Sequence, residues 1–279
     1  MVVNLIANPD TQSRALRVAE DLCERLELPV VNAARAIMGN TREETARKLE
    51  GISGLVVPRC VSFTGPPKTM LLLLLAQGSI STPLIVRKAG SHAGTALGLI
   101  QRPEDLDRLA GDIENPAQRW FATEFHDVRR PDGLFRKFRA FVVDGRAMPF
   151  HLRYAETWNV QAVVTVPLME ARDDLREHDP DFLRHPEHYL SQGNMDTLEQ
   201  MATRLELDAF GVDFEVLPSG EIILFEATSS MTLFRSVNGE RPEIQQCNAR
   251  VLAAAEEMII SRARAPHGTT PSAEAAALG

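Results

Sequence analysis

Cysteine is scarce in this chain. Cys23, Cys60 and Cys247 are odd in number and widely spaced over 279 residues. That excludes a disulfide framework and a cysteine zinc site, and it points to buried thiols in a reducing, cytoplasmic setting. Positive charge is also short: 30 basic against 38 acidic residues leave a net charge of −8. Nothing global then suggests nucleic acid or an anionic membrane as a partner. Long apolar runs are missing as well. Leu71–Leu75 is dense but far below the roughly 20 residues of a membrane span, and reads as a buried helix segment. The opening Met-Val-Val-Asn-Leu-Ile reads as a short strand rather than a secretory leader. There is no internal repeat, no Gly-Lys-Ser/Thr of a P-loop and no Rossmann glycine fingerprint. The chain is long enough for one large domain or two to three intimate lobes.

Apolar periodicity gives an α/β start. Strands are expected at Val2–Ile6, Leu28–Val31, Gly54–Pro58 and Thr82–Arg87. Between them, Thr11–Leu26 has a helical stripe of Leu16, Ala19, Leu22, Cys23 and Leu26. Thr41 is placed to cap a helix running to about Leu49, with Glu44 completing a capping box. A short helix follows at Asp105–Ile113 and a strand at Trp120–Phe125. Phe135–Val143 and Arg146–Tyr154 flank Asp144-Gly145, a type I′ turn signal. Arg172–Ser191 is charged and Pro-interrupted, a loop with helical pieces. Helices at Met195–Leu205 and Pro242–Ser261 complete an α/β plus α+β chain.

The hairpin Phe210–Thr228 carries the strongest chemical signal. With Ser219-Gly220 as a two-residue turn, Asp213 falls opposite Glu226, and Thr228 falls on the same face opposite Gly211. Phe210, Val212, Phe214, Val216, Ile223, Phe225 and Ala227 make the opposite, core face. Two facing carboxylates repel, and a divalent cation reverses the sign. Oxygen-only ligands suit Mg²⁺ or Mn²⁺ rather than Zn²⁺. The hairpin alone leaves an incidental pair of acids equally open.

Two further segments suit a nucleotide. Arg87-Lys-Ala-Gly-Ser-His-Ala-Gly94 follows a strand, and its Gly/Ser backbone can approach phosphate while Arg87 or Lys88 supplies charge. An ordinary turn has the same composition. Phe121-Ala-Thr-Glu-Phe125 ends a strand where backbone groups can read a purine edge and apolar side chains can hold its ring.

Four segments in order resemble the ATP-grasp superfamily: Pro83–Gly94, Ala122–Phe125, Arg139–Gly145, and Gly211–Asp213 followed by Phe225–Thr228. The similarity extends over about residues 1–260. It is to the branch of glutathione synthetases and ribosomal-protein glutamate ligases, and most closely to bacterial ATP-grasp domains associated with tetratricopeptide repeats. The resemblance implies an ATP-grasp fold with an N-terminal α/β lobe at 1–40, a central lobe at 41–123 and a C-terminal lobe with the metal hairpin at 124–263; the stretch at 264–279 reads as a disordered tail from its small, polar, Pro-containing composition. The resemblance also implies a ligase that forms an amide through an acyl phosphate, using ATP and Mg²⁺, on an amino acid or peptide, and a possible homodimer. By position, Arg42 and Arg87 stand for phosphate-contacting lysines and Lys88 adds charge. Ser91, His92 and Gly94 form the loop over the phosphates. Glu124, Phe125 and His126 line the adenine hinge, Asp213, Glu226 and Thr228 hold metal, and Arg139 faces the transferred phosphoryl group. The segment from Trp158 to Gln192 shapes the acceptor pocket, and Arg235 is a further carboxylate-holding candidate.

The chain departs from the family in three places. Arginines replace the phosphate lysines, which keeps the charge and adds bidentate contact. A catalytic arginine is expected on the strand after Asp144-Gly145. A plain two-residue turn puts Arg139 on one face with Phe150, Leu152 and Tyr154, and Arg153 and His151 on the other, so Arg153 serves the site only through a bulge. Thr228 stands where the family has Asn and offers a weaker metal ligand. That departure makes a weakened ATP-binding regulatory or partner protein the alternative, with a kinase as a third reading.

Overall fold

The computed structural model describes residues 1–91, 96–109, 117–232 and 242–264. His92, Gly94, Arg235, residues 110–113 of the expected short helix and residues 265–279 of the expected tail lie outside them.

Three sheets organise the chain. The smallest pairs β1 (Val2–Val3) in parallel with β2 (Val30–Val31). Helices α1 (Ser13–Leu26) and α2 (Ala34–Met38) accompany it. Only part of the α1 stripe is covered. Leu16 is fully buried, but Leu22 and Leu26 are 55% and 51% exposed, because a two-stranded sheet is too narrow to cover the whole face. Helix α3 (Arg42–Leu49) begins as expected, with the Thr41 hydroxyl accepting the Glu44 backbone N–H. Only that half of the box is seen, because the Glu44 carboxylate accepts from Arg47 at 2.6 Å.

The four-stranded sheet runs β4 (Cys60–Thr64), β7 (Arg119–Glu124), β5 (Leu84–Lys88), β6 (Ala96–Ile100). Strands β4 and β6 went unread in the sequence. Cys-Val-Ser-Phe-Thr is short and mixed, and β6 contains Gly98. Helix α4 (Pro67–Ala76) and a 3₁₀ segment, Pro103–Leu109, cover one face. Together they form a core around Phe63, Leu71, Leu84, Val86, Leu106 and Trp120. The leucine run is helical but only partly buried: Leu71 is inside, whereas Leu72 and Leu73 are 45% and 48% exposed.

The five-stranded sheet runs β3 (Leu55–Val56), β11 (Ile222–Thr228), β10 (Ala209–Val216), β8 (Phe135–Val143), β9 (Arg146–Ala155). Its back is covered by α7 (His178–Arg184) and α8 (Gln192–Leu205), the latter entered through a Ser191–Asn194 capping box. Helix α5 (Ala162–Ala171) follows β9, α6 (Asp173–Arg176) and α7 are the helical pieces of the charged 172–191 stretch, and α9 (Pro242–Arg264) packs on β8 and β9. No helix among the described residues is long and apolar enough to cross a membrane.

Register in this sheet is set by two bulges. The β10–β11 connection is one residue longer than a two-residue turn. Leu217 donates to Glu221 at 2.8 Å, and Gly220 adopts a φ of +90° that favours glycine. A bulge beside Asp213/Phe214 absorbs Phe225 and restores Asp213 opposite Glu226 and Gly211 opposite Thr228. The expected core face is corrected accordingly. Ile222 and Leu224 join Phe214 and Ala227 inside, while Ile223 and Phe225 leave the main core. The β8–β9 turn is type I′ as read, with φ +50° at Asp144 and +74° at Gly145. A second bulge follows between Arg139 and Ala140, so Arg139 pairs with His151 and Lys137 with Arg153. The expected sharing of a face by Arg139 with Phe150, Leu152 and Tyr154 is therefore wrong. Pro149, which has no N–H for a regular ladder, sits beside the bulged Phe150.

Asn32 joins the small N-terminal sheet to β10. Its amide oxygen accepts from Asp208 and Ala209 N–H at 2.9 and 3.0 Å, and its amide nitrogen donates to Ala209 O at 2.8 Å. Its φ of +53° is one that Asn tolerates and Ala resists. Asn32→Ala is expected to destabilise the fold by about 2–4 kcal/mol. Asn32→Gly, which removes the bonds but not the backbone preference, should cost about 1 kcal/mol less. Urea midpoints of the two variants check this, and equal losses would remove the backbone contribution.

Candidate active site

A cleft of about 700 Å³ opens between the four-stranded and five-stranded sheets. It meets a smaller chamber at Arg42, Arg87, Glu226 and Thr228, which line both. The volume is in the range of a pocket for a nucleotide-sized ligand. One end is apolar. Phe125 meets Trp158 edge to face at 6.2 Å between centroids, and Val128, Phe135 and Val160 pack with them. The other end is charged.

Strand alternation places the charged groups. Arg139, Asp213 and Glu226 pair across three adjacent strands in one row. Arg139 donates to both Asp213 oxygens at 2.6 and 2.8 Å, and Lys137 reaches the same carboxylate at 2.9 Å. Arg42, from the start of α3, donates to Glu226 at 2.6 Å and to Phe225 O at 3.1 Å. The two acids thus carry their own countercharges. Asp213 is 3% exposed. Burial pushes its carboxyl up, but Lys137 and Arg139 outweigh burial and hold it down at about 2. Burial likewise lowers Arg42 and Arg139, and Glu226 and Asp213 respectively reverse the direction.

Arg87 is different. Burial, and then repulsion from Arg42, lower it to about 10. None of the described residues forms an ion pair or hydrogen bond with its guanidinium. A half-buried cation facing a cleft in this condition is suited to an anionic ligand. Arg136, also on the cleft wall, is instead committed to Glu215, donating to Oε1 from Nη2 at 2.6 Å and to Oε2 from Nε at 3.1 Å.

The remaining sequence candidates divide. Glu124, Phe125 and His126 line the apolar side, with the Glu124 carboxylate accepting from Ser81 at 2.7 Å. Lys88 and Ser91 line the smaller chamber, and Lys88 lies 5.5 Å from the Trp120 ring centroid. The Thr228 hydroxyl lies 3.0 Å from that of Ser230. Arg153 meets the bulge condition and shares the face of Lys137 and Arg139, but it sits on the edge strand and does not line the cleft. Lys137 was missed, although strand alternation two residues before Arg139 signalled it. Trp158, at the start of the segment read as shaping the acceptor pocket, lines the cleft and packs against Phe125. Gly211 is needed sterically, since a Cβ there would lie 2.5 Å from Met231 Sδ on the cleft wall.

The depressed Asp213 acidity has a pH consequence. Its ionised form is favoured on folding, so the stabilisation is complete above the ordinary Asp value and is lost as pH falls through about 2. The stability advantage of wild type over Asp213→Asn should shrink by about 2 kcal/mol between roughly pH 5 and pH 2. Urea unfolding across that window measures it, and a gap independent of pH would contradict the ion pairing.

The sequence matches no protein-family model and no curated protein. Solved structures do match. The D-alanine–D-alanine ligase from Coxiella burnetii aligns at TM-score 0.52 and 11% identity, over 91% of this chain and 67% of that one. The VanG D-Ala:D-Ser ligase from Enterococcus faecalis aligns at 0.51 and 16%, over 86% and 67%. The ATP-grasp ligase PsnB, complexed with minimal precursor, Mg and ADP, gives 0.48 and 16%, over 88% and 72%. At such identities the likeness is one of architecture, and it rests on the first two. The chain has the ATP-grasp fold.

Proposed function

We propose that this protein is an ATP- and Mg²⁺-dependent carboxylate–amine ligase, ADP-forming, acting on an amino acid or peptide. One observation carries the reading: a single cleft joins an apolar slot at Phe125 and Trp158 to a row of paired acids and cations beside the uncommitted Arg87. Adenine fits the apolar end, and the triphosphate fits Arg42, Arg87, Lys137 and Arg139. The fold's occurrence in D-Ala–D-Ala and D-Ala:D-Ser ligases supports the same reading.

The donor set fits one Mg²⁺. Asp213 and Glu226 are adjacent carboxylates on the cleft wall, and Mg²⁺ is commonly held by one or two carboxylates plus phosphate oxygens. Thr228 adds only a hydroxyl. The ion would supply charge neutralisation at the phosphates.

In this reading the substrate carboxylate oxygen attacks the γ-phosphorus and ADP leaves. The amine nitrogen then attacks the acyl carbon and phosphate leaves, with the amine proton passing to solvent. Arg139 and Lys137 orient and neutralise the transferred group, Arg42 and Arg87 hold the phosphate chain, and the apolar walls exclude water from the acyl phosphate. A cytoplasmic site of action accords with the reduced cysteines, none of which forms a disulfide.

A second reading, an ATP-binding regulatory protein with weakened catalysis, is favoured by Thr228 and by acids already neutralised by Arg42, Lys137 and Arg139. Trp158 fluorescence on adding ATP–Mg²⁺ reports binding, and ADP release with pooled amino acids or peptides reports turnover. Arg87→Met is expected to weaken ATP binding about tenfold or more. Asp213→Asn and Glu226→Gln should each lower substrate-dependent ADP release by about 100-fold. Intact turnover in both acid variants would refute the ligase site. Binding without turnover in wild type and in Thr228→Asn would select the regulatory reading.

A further inference from the structure

On the far side of the five-stranded sheet, α7 ends at Arg184 and a 3₁₀ turn spans Pro186–His188. This corner gathers His185, Glu187 and His188, whose ligand atoms lie within 4.8 Å of one another. Among the described residues it is the one group of three or more His, Cys, Asp or Glu side chains so placed.

We propose that this corner is a binding site for a divalent transition metal of the zinc class. Two imidazoles and one carboxylate are a donor set that Zn²⁺ accepts, whereas Mg²⁺ prefers oxygen alone. The ligand atoms are near one another but not yet in bound geometry. His185 Nδ1 lies 3.3 Å from Glu187 Oε1 in a direct polar contact that an ion would replace, and the two imidazoles stack at 5.0 Å and 17°, so one ring has to turn for both nitrogens to reach one Zn²⁺ at about 2.0–2.1 Å. Behind the ligands stands an outer carboxylate. Asp181 Oδ2 lies 3.6 Å from His188 Nδ1 and accepts the Tyr189 hydroxyl at 2.9 Å. At 3.6 Å this contact is ionic rather than a hydrogen bond; closing it as the ring turns would leave His188 Nε2 for the metal.

The backbone of the corner is organised without a metal. His185 N–H bonds Asp181 O at 2.7 Å, His188 N–H bonds His185 O at 3.0 Å, and Leu190 N–H bonds Pro186 O at 2.8 Å. Phe182 and Tyr189 anchor it on Phe138, the residue between Lys137 and Arg139. Binding therefore asks mainly for side-chain rotation of exposed groups. The remaining coordination positions face solvent and take water. A bound ion staples the end of α7 to the turn behind the strand that carries the cleft cations.

The test is independent of ATP. The full chain is dialysed against Zn²⁺, and bound metal is counted and titrated calorimetrically. Wild type should hold one equivalent at this site. His185→Ala/His188→Ala should lose it, and Glu187→Gln and Asp181→Asn should each weaken it about tenfold or more. Asp213→Asn/Glu226→Gln should retain it, which separates this site from the cleft. Amide exchange across 181–189 should slow with Zn²⁺ in wild type and not in the histidine double variant. Because the three ligands are exposed, the metal-free variants should match wild type in circular dichroism and thermal midpoint. Failure of wild type to bind an equivalent, its retention in the histidine double variant, or its loss in the cleft double variant overturns the proposal.

Discussion

The contact between Arg139 and Asp213 organises the candidate active site. Both residues sit in the middle of a five-stranded sheet, and their pairing exists only because β8 and β10 meet in one register. Asp213 is nearly inaccessible to solvent, and an isolated carboxylate there would cost several kcal/mol. Arg139 and Lys137 offset that cost from the neighbouring strand. Glu226, one strand further on, is met from α3 by Arg42. Charge that a regular sheet would expel is thus retained on its cleft face, because every acid has a cation within hydrogen-bonding distance.

The two large sheets contribute different parts. The four-stranded sheet has a core of its own and presents Ile85, Arg87 and Thr123 to the cleft. The five-stranded sheet presents the acids and their partners. A small apolar cluster, Phe125, Val128, Phe135, Trp158 and Val160, draws on both. It is apolar enough to receive a flat ring. The charged row and the apolar cluster line the same cavity, which can therefore take a ligand with both a polyanionic and an aromatic part.

The sequence and structure agree on the central pairing for reasons that differ in part. Asp213 faces Glu226 as expected, yet the turn assumed between them is one residue too short. The Phe225 bulge cancels the error on the functional side only, which is why Ile223, although buried, and Phe225 fall on the cleft face rather than the expected one. Bulges depend on tertiary fit and leave little local trace, apart from a proline such as Pro149 in the middle of a strand. The same limit hid β4 and β6, whose short mixed sequences become strands only through their neighbours. What was legible had a local physical cause: the Thr41 cap, the Asp144-Gly145 turn, and the alternation that puts Asp213 and Thr228 on one face. Trp158 had none, since its place against Phe125 is made by chain folding alone.

Charge pairing within the cleft also links the two ligands of the proposed reaction. Without ligand, Arg42, Lys137 and Arg139 are held by the same carboxylates that a divalent cation would occupy. In that reaction triphosphate and metal ion would help one another: the ion would take over the acids and free the cations, and the phosphates would take over the cations and free the acids. Each ligand alone has to break ion pairs without replacing them, whereas both together exchange partners at nearly constant charge. Arg87 stands outside this exchange. It has no carboxylate to surrender, so in the proposed reaction an incoming phosphate could engage it without breaking an ion pair.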